Sequence, residues 1–163
     1  MRIQQPSPAN DFLADHIELL RSSFRHWTGQ ELIAPDLEPA EAARQLYLAP
    51  FALLSHDTQA DPVFNYANLC AQKLFEMDWS TFTQLPSRLS AEAPVRGERE
   101  RLLETVARQG YIEDYRGIRI SRGGRRFKID QALIWNVIDH TGQFHGQAAK
   151  LVRWTFIDGG HTP

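Results

Sequence analysis

A single cysteine, Cys70, stands among 163 residues, which excludes an intrachain disulfide framework and a cysteine-based zinc site. That usage fits a reducing compartment, so the expected location is cytoplasmic. The longest near-apolar run, Leu46 to Leu54, is interrupted by Pro50, and the opening MRIQQPSPAND has no apolar signal core. The chain is therefore expected neither to cross a membrane nor to be exported. An excess of charge of one sign is also missing. With 18 Lys and Arg against 20 Asp and Glu, the net charge of −2 gives no overall field to gather nucleic acid or an anionic membrane. Arg122-Gly123-Gly124-Arg125 joins two predicted strands and precedes no helix, so it lacks the context that a phosphate cradle requires.

What is present, 42% hydrophobic and 23% charged residues, suffices for one domain core and is too little for two. After a polar, proline-bearing start, Asn10 or Asp11 is placed to cap a helix. In it Leu13, Ile17, Leu20, Phe24 and Trp27 recur at alternating steps of four and three. Such a stripe either covers a sheet within its own chain or serves as an association surface for a second subunit. Glu38-Pro39-Ala40-Glu41 opens a second short helix that runs to about Leu48 and stops before Pro50. Residues 1–50 thus read as an N-terminal helical extension of the same unit.

From Phe51 the period changes. FALLSH and PVFNY read as two short strands around the polar turn Asp57 to Asp61. Helical spacing resumes at Asn68 with Leu69, Leu74 and Phe75, and a further helical turn from Trp79 to Leu85 ends at Pro86. A linker through Pro94 leads into a charged helix, Glu98 to Gln109, carrying Leu102, Leu103 and Val106 and closed by Gly110. Three long strands follow on short turns, Tyr111 to Ser121, Arg126 to Asp139 and Phe144 to Ile157, an antiparallel meander. Strict alternation in the middle strand puts Phe127, Ile129, Leu133, Trp135 and Val137 on one face. Gln131 falls within that face, where its amide is either bonded to neighbouring backbone or is the polar handle of a cavity.

Little of the remaining chemistry points to catalysis. His140 and His145 flank a turn beside Asp139 without a third ligand at a recognised interval, and read as surface histidines; no metal site is expected. His56 and Asp57 fit a turn at a strand end. Cys70 reads as a small buried hydrophobe, although a thiol near a helix N-terminus can have a lowered pKa. Arg116, Arg119, Arg122, Arg125, Arg126 and Lys128 follow one another with no acidic residue between them. The absence of any nucleic-acid motif argues for a solvated edge or a partner-docking surface there. Arg88, after Pro86-Ser87, sits where a guanidinium could clamp a carboxylate or staple a loop to backbone carbonyls.

Two strands, helices and a three-stranded meander over Phe51 to Ile157 resemble the PAS fold. Three stretches carry a narrower resemblance: Pro62-Val63-Phe64-Asn65-Tyr66-Ala67-Asn68 with Leu74-Phe75; Leu85-Pro86-Ser87-Arg88-Leu89-Ser90-Ala91-Glu92; and Trp135-Asn136-Val137-Ile138-Asp139 with Gly146-Gln147-Ala148-Ala149. With these the chain resembles the MEKHLA-domain family, PAS-related and found in bacteria and at the C-terminus of plant class III homeodomain-leucine zipper proteins. The resemblance implies an α+β fold: a PAS-like five-stranded antiparallel sheet with helices packed on one face, after the N-terminal extension. The PAS-like MEKHLA domain would cover residues 51–158, leaving 159–163 as a tail. It also implies signal or ligand sensing and subunit association, and it supplies no catalytic residues. The cysteine of flavin-binding photoreceptor PAS domains lies on a later helix within a motif absent here, which argues against flavin-cysteine photochemistry; the cofactor, if any, is unknown.

Two classes of function follow. The first is a non-catalytic sensor or adaptor with a small-molecule ligand in a pocket between helices and sheet. Its walls are expected from Phe64, Tyr66, Leu74, Phe82, Leu103, Ile118, Ile120, Leu133 and Trp135, with Gln131 and Arg88 as polar contacts. Its partner would be a homodimer mate or a separate signalling protein. The second is a cone-shaped, ketosteroid-isomerase-like enzyme acting on a small apolar substrate, which needs a carboxylate facing the cavity. Asp114, sharing parity with Ile112, Ile118 and Ile120, fits that need better than Asp130. The order of two strands before the central helices fits PAS better than the cone.

Overall fold

The N-terminal stripe finds its partner inside its own chain. In the computed structural model, which describes residues 3–91 and 96–157 without the side chains of residues 96, 98, 99 and 103, α1 (Ala14–Thr28) lays Ile17, Leu20 and Phe24 against a β-sheet and α2 (Pro39–Tyr47). The helix does not begin at Asn10 or Asp11. A 3-10 turn, Pro8–Leu13, comes first, and Asp11, Phe12 and Leu13 take left-handed φ angles. Asn10 instead accepts from the Ser7 backbone N–H at 2.9 Å.

Then come β1 (Ala52–His56), β2 (Phe64–Ala67), α3 (Leu69–Phe75), the single turn α4 (Trp79–Phe82), a 3-10 turn at Ser87–Ser90 and α5 (Arg96–Gln109). The meander β3 (Tyr111–Ile120), β4 (Arg126–Ile138) and β5 (Phe144–Phe156) completes a five-stranded antiparallel sheet in the order β2-β1-β5-β4-β3. The expected linker through Pro94 and the tail 159–163 lie wholly or partly outside the described residues.

Each face of the sheet has its own core. Leu54, Phe64, Phe75, Phe82, Val106, Tyr115, Ile129 and Leu151 form the front core under α3, α4 and α5. Leu53, Tyr66, Trp135, Val137 and Ala148 join α1 and α2 in the back core. Phe24 meets the Trp135 ring edge to face at 4.9 Å.

Strict alternation does not survive along the strands. β1 pairs Ser55 with Tyr66 and His56 with Phe64, so Asn65 is an extra residue. A second irregularity falls at Asp130 and Gln131, where the pairing of β4 with both neighbours shifts. A bulged residue passes every side chain beyond it to the opposite face. Phe127 and Ile129 consequently face the front, while Leu133, Trp135 and Val137 face the back. Gln131, expected within an apolar face, is exposed on the bulge and receives only a 3.4 Å contact from Arg153.

Candidate ligand cavity

Between the front of the sheet and its helices lies a small cavity of about 60 Å³. Leu54, Phe64, Phe75, Ile129, Ala132, Ile134 and Leu151 contribute apolar walls, and its polar lining includes Ser55, His56, Ser90, Tyr115, Arg119 and Gln147. Among the described residues no Asp or Glu lines it. A mostly apolar concavity with a few placed polar groups is the ordinary composition of a small-molecule site.

Arg119 enters from the hairpin end of β3. Its residue is 8% exposed, its Nη1 donates to the Ile118 carbonyl at 3.1 Å, and its guanidinium lies 5.1 Å from the centre of the Tyr115 ring. The Tyr115 ring in turn lies over Gly117, where an added Cβ would stand 2.3 Å from the tyrosine oxygen. Only a residue without a side chain allows this stack of Tyr115 and Arg119 along one strand. Burial pulls the guanidinium pKa below its ordinary value, and the beside-lying Tyr115 partly offsets this. An arginine nonetheless keeps its proton.

At the other end, Gln147 donates to the Asn136 side-chain oxygen at 3.1 Å. Asn136 is a junction. Its amide nitrogen donates to the Val106 carbonyl of α5 at 3.0 Å, its backbone N–H to Gly110 O at 2.8 Å, and its carbonyl accepts from the Trp27 indole of α1 at 2.9 Å. One strand residue therefore ties the cavity wall to helices on both faces. Next to Gln147, Gly146 has φ +124°, and a Cβ there would fall 1.9 Å from the His56 carbonyl. The close seating of β5 on β1 beside the cavity depends on that glycine.

Of the expected pocket residues, Phe64 alone among those described lines the cavity. Leu74 and Phe82 are buried in the front core; Phe82 packs against Phe64 and Phe75. Tyr66, Leu133 and Trp135 are on the back, carried there by the bulges. Ile118 and Ile120 are half-buried outside the lining, because the pairing shift between Ile112 and Tyr115 gives the inner face to Tyr115 and Arg119. The side chain of Leu103 lies outside the described residues. Arg88 is bonded to Asp61 at 3.1 Å, a half-exposed pair that ties the 3-10 turn to the β1–β2 loop. It lines an outer depression, not the cavity.

The association-surface residues Leu13, Ile17, Leu20, Phe24 and Trp27 all pack in or against the back core. Cys70 is half-buried in a separate groove with Leu48, Lys73 and Trp154, its thiol toward the Pro50 carbonyl. Burial pushes its pKa up, outweighing Lys73. Asp114 is exposed beside Arg116, and Asp130 accepts from Thr155. His145 bonds Asp139 at 2.9 Å. Among the described residues no group of His, Cys, Asp or Glu could hold a metal, and no helix is long and apolar enough to cross a membrane.

Sequence reasoning missed Tyr115, Asn136 and Gln147 as site residues, and took Arg119 for one more member of a basic run. The available signal was Tyr115-x-Gly117-x-Arg119, a glycine between two large side chains of the same parity.

The model of the MEKHLA domain matches residues 14–156, α1 to the end of β5. The chain belongs to the MEKHLA domain family. The match takes in α1 and α2, so the MEKHLA unit extends beyond the PAS-like sheet and its front helices. The homeobox-leucine zipper protein ATHB-9 of Arabidopsis thaliana is 28% identical over 149 residues, which is 86% of this chain and 17% of that protein. The chain thus spans about a sixth of the length of this relative. Among solved structures, the PAS domain of a Colwellia psychrerythraea protein superposes with a TM-score of 0.58 at 14% identity, covering 72% of this chain and 94% of that one. The light-state dimer of the fungal blue-light photoreceptor Vivid gives 0.59 at 14% identity, covering 85% and 94%. The fold is PAS-like. The cone-fold alternative fails on topology, since β1 and β2 precede the central helices, and among the described residues no carboxylate lines the cavity.

Proposed function

We propose that this MEKHLA chain senses a small molecule held between the front of its sheet and α3 to α5, and passes the bound state to another protein by association. The observation that carries this reading is the hydrogen-bonded path from the cavity wall outward: Gln147 to Asn136, and from Asn136 to the end of α5 and to Trp27 of α1. A ligand that shifts Gln147 changes the anchoring of helices on both faces, a local change with an outward readout. Ligand binding is tested by native mass spectrometry of the chain as purified, at gentle and then denaturing settings. A small mass retained and then lost supports the reading; an empty chain from every expression host tried removes it.

The receiving partner is proposed to be a second copy or a separate signalling protein, in the cytoplasm where Cys70 stays reduced. Nucleic acid is not proposed. Of the basic run, Arg119 is turned inward, Arg125 covers the Phe156 ring at 3.4 Å and Arg116 stands beside Asp114. Because α1 spends its stripe on the back core, association through that stripe would require α1 to be exchanged between subunits.

A further inference from the structure

Arg119 is a charged side chain of the cavity, and among the described residues none supplies its counter-ion. A guanidinium has five N–H donors. One goes to the Ile118 carbonyl, and the adjacent Tyr115 hydroxyl can take another. Among the described residues no carboxylate pairs with it, although its residue is 92% removed from solvent, as the 8% exposure implies. Buried charges are normally paired, because an unpaired one forfeits hydration without return. The stack on Tyr115 over Gly117 holds the guanidinium plane in place, where it lines the cavity together with Phe75, Ser90 and Ile129.

We infer that the cavity takes a small monocarboxylic acid with an apolar body, its carboxylate on the Arg119 fork and its hydrocarbon along Ile129, Ala132, Ile134 and Leu151. The inference rests on the ligand-sensing reading and names the chemical class of the ligand. A carboxylate matches a guanidinium edge in two parallel hydrogen bonds. One arginine balances one negative charge, and the other polar lining groups are a tyrosine, a histidine, two serines and an amide, so the cavity offers one permanent positive charge and matches a monoanion better than a phosphate dianion. The surroundings select the same way. His56 and Gln147 line both the cavity and an outer depression carrying Asp57, Asp61, Glu100 and Glu104, of which Asp61 is paired with Arg88. Those carboxylates disfavour the approach of polyanions and cost a monoanion less, and salt screens the effect.

The test uses the full chain, benzoate and hexanoate as acid probes, and benzamide and hexanamide as neutral matches of the same shape. Thermal shift and calorimetric titration are run on the native protein, Arg119→Met and Arg119→Lys. The acids should raise Tm with increasing concentration and bind at least tenfold more tightly than their amides. Arg119→Met should abolish that preference while melting no lower than the native protein when free of ligand, since an uncompensated charge is replaced by a chain of similar length. Arg119→Lys should keep part of the preference. Equal affinity for acid and amide, or an acid preference that survives in Arg119→Met, overturns the carboxylate assignment and leaves the sensor reading standing. A lowered Tm in both variants with no acid effect in the native protein makes Arg119 a structural post and overturns it as well. If native mass spectrometry also finds no retained mass, the sensor reading falls separately.

Discussion

Asn68 shows at the residue scale why the PVFNYAN stretch stands where it does. The side chain is fully buried and all its hydrogen-bonding capacity is spent. Its oxygen accepts from Ala71 N, capping α3, and from Leu53 N of β1, both at 3.0 Å; its nitrogen donates to Leu46 O and Phe51 O, both at 2.9 Å. One amide thus joins α2, β1 and α3. Asn68→Ala removes a helix cap and orphans buried partners, and should cost about 2–4 kcal/mol in urea or thermal unfolding. Asn68→Asp should fall short of full rescue, because a carboxylate cannot donate to Leu46 O and Phe51 O. His16, half-buried on α1, bears on pH dependence. Ser55 donates to Asn65 at 2.6 Å, so His16 Nε2 acts as donor to Ser55 Oγ at 2.9 Å. Burial first, and the His145 charge second, lower its pKa from 6.5 to about 4. Between those values the unfolded chain binds a proton that the folded chain refuses, so this group makes stability fall as pH drops from about 6.5 to about 4. The loss is at most about 3 kcal/mol. Unfolding midpoints measured across that window should show the slope, and His16→Gln should flatten it.

At the scale of elements, the two short and three long strands were legible because each run is bounded by turn residues, and their observed ends lie within a residue or two of the expected ones. Which way their side chains point was not. Parity reasoning assumes an unbroken pleat, and the bulges at Asn65 and at Asp130–Gln131 carry no compositional mark. Pairing creates them, since an extra residue is tolerated where both faces of the sheet are covered and each must receive an apolar side chain. Tyr66, Leu133 and Trp135 were therefore placed in the pocket, when they are what α1 packs upon. Removing residues 1–28 tests that assignment. The truncation should not yield a clean monomer: it uncovers Leu53, Tyr66, Trp135 and Val137 together, a contiguous apolar face of the kind that aggregates. A soluble, monomeric, folded truncation would show that α1 is dispensable to the back core.

At the scale of the whole molecule, a sheet with a separate core on each face raises the question of whether the two layers unfold as one. Sequence could place residues 1–50 before a PAS-like unit but could not say which face they cover, because the helical stripe is equally suited to a sheet and to a second helix. The structure couples the layers through the strands themselves. β4 gives Ile134 to the front and Trp135 to the back, β1 gives Leu54 and Leu53, and Asn136 bonds to α5 and receives Trp27 of α1. Losing either layer exposes half of every central strand, so neither core should persist without the other. Unfolding should then be a single two-state transition. Tryptophan emission, reporting Trp27, Trp79 and Trp135 on the back and Trp154 on the front, should coincide with far-ultraviolet circular dichroism in urea. An emission change in native protein that precedes the dichroism and shrinks in Trp135→Phe would reveal an independently melting back layer. That result would make α1 a detachable cover and open the exchange of α1 between subunits as the route to association; a coincident transition closes that route and moves the association surface to faces outside the α1 stripe.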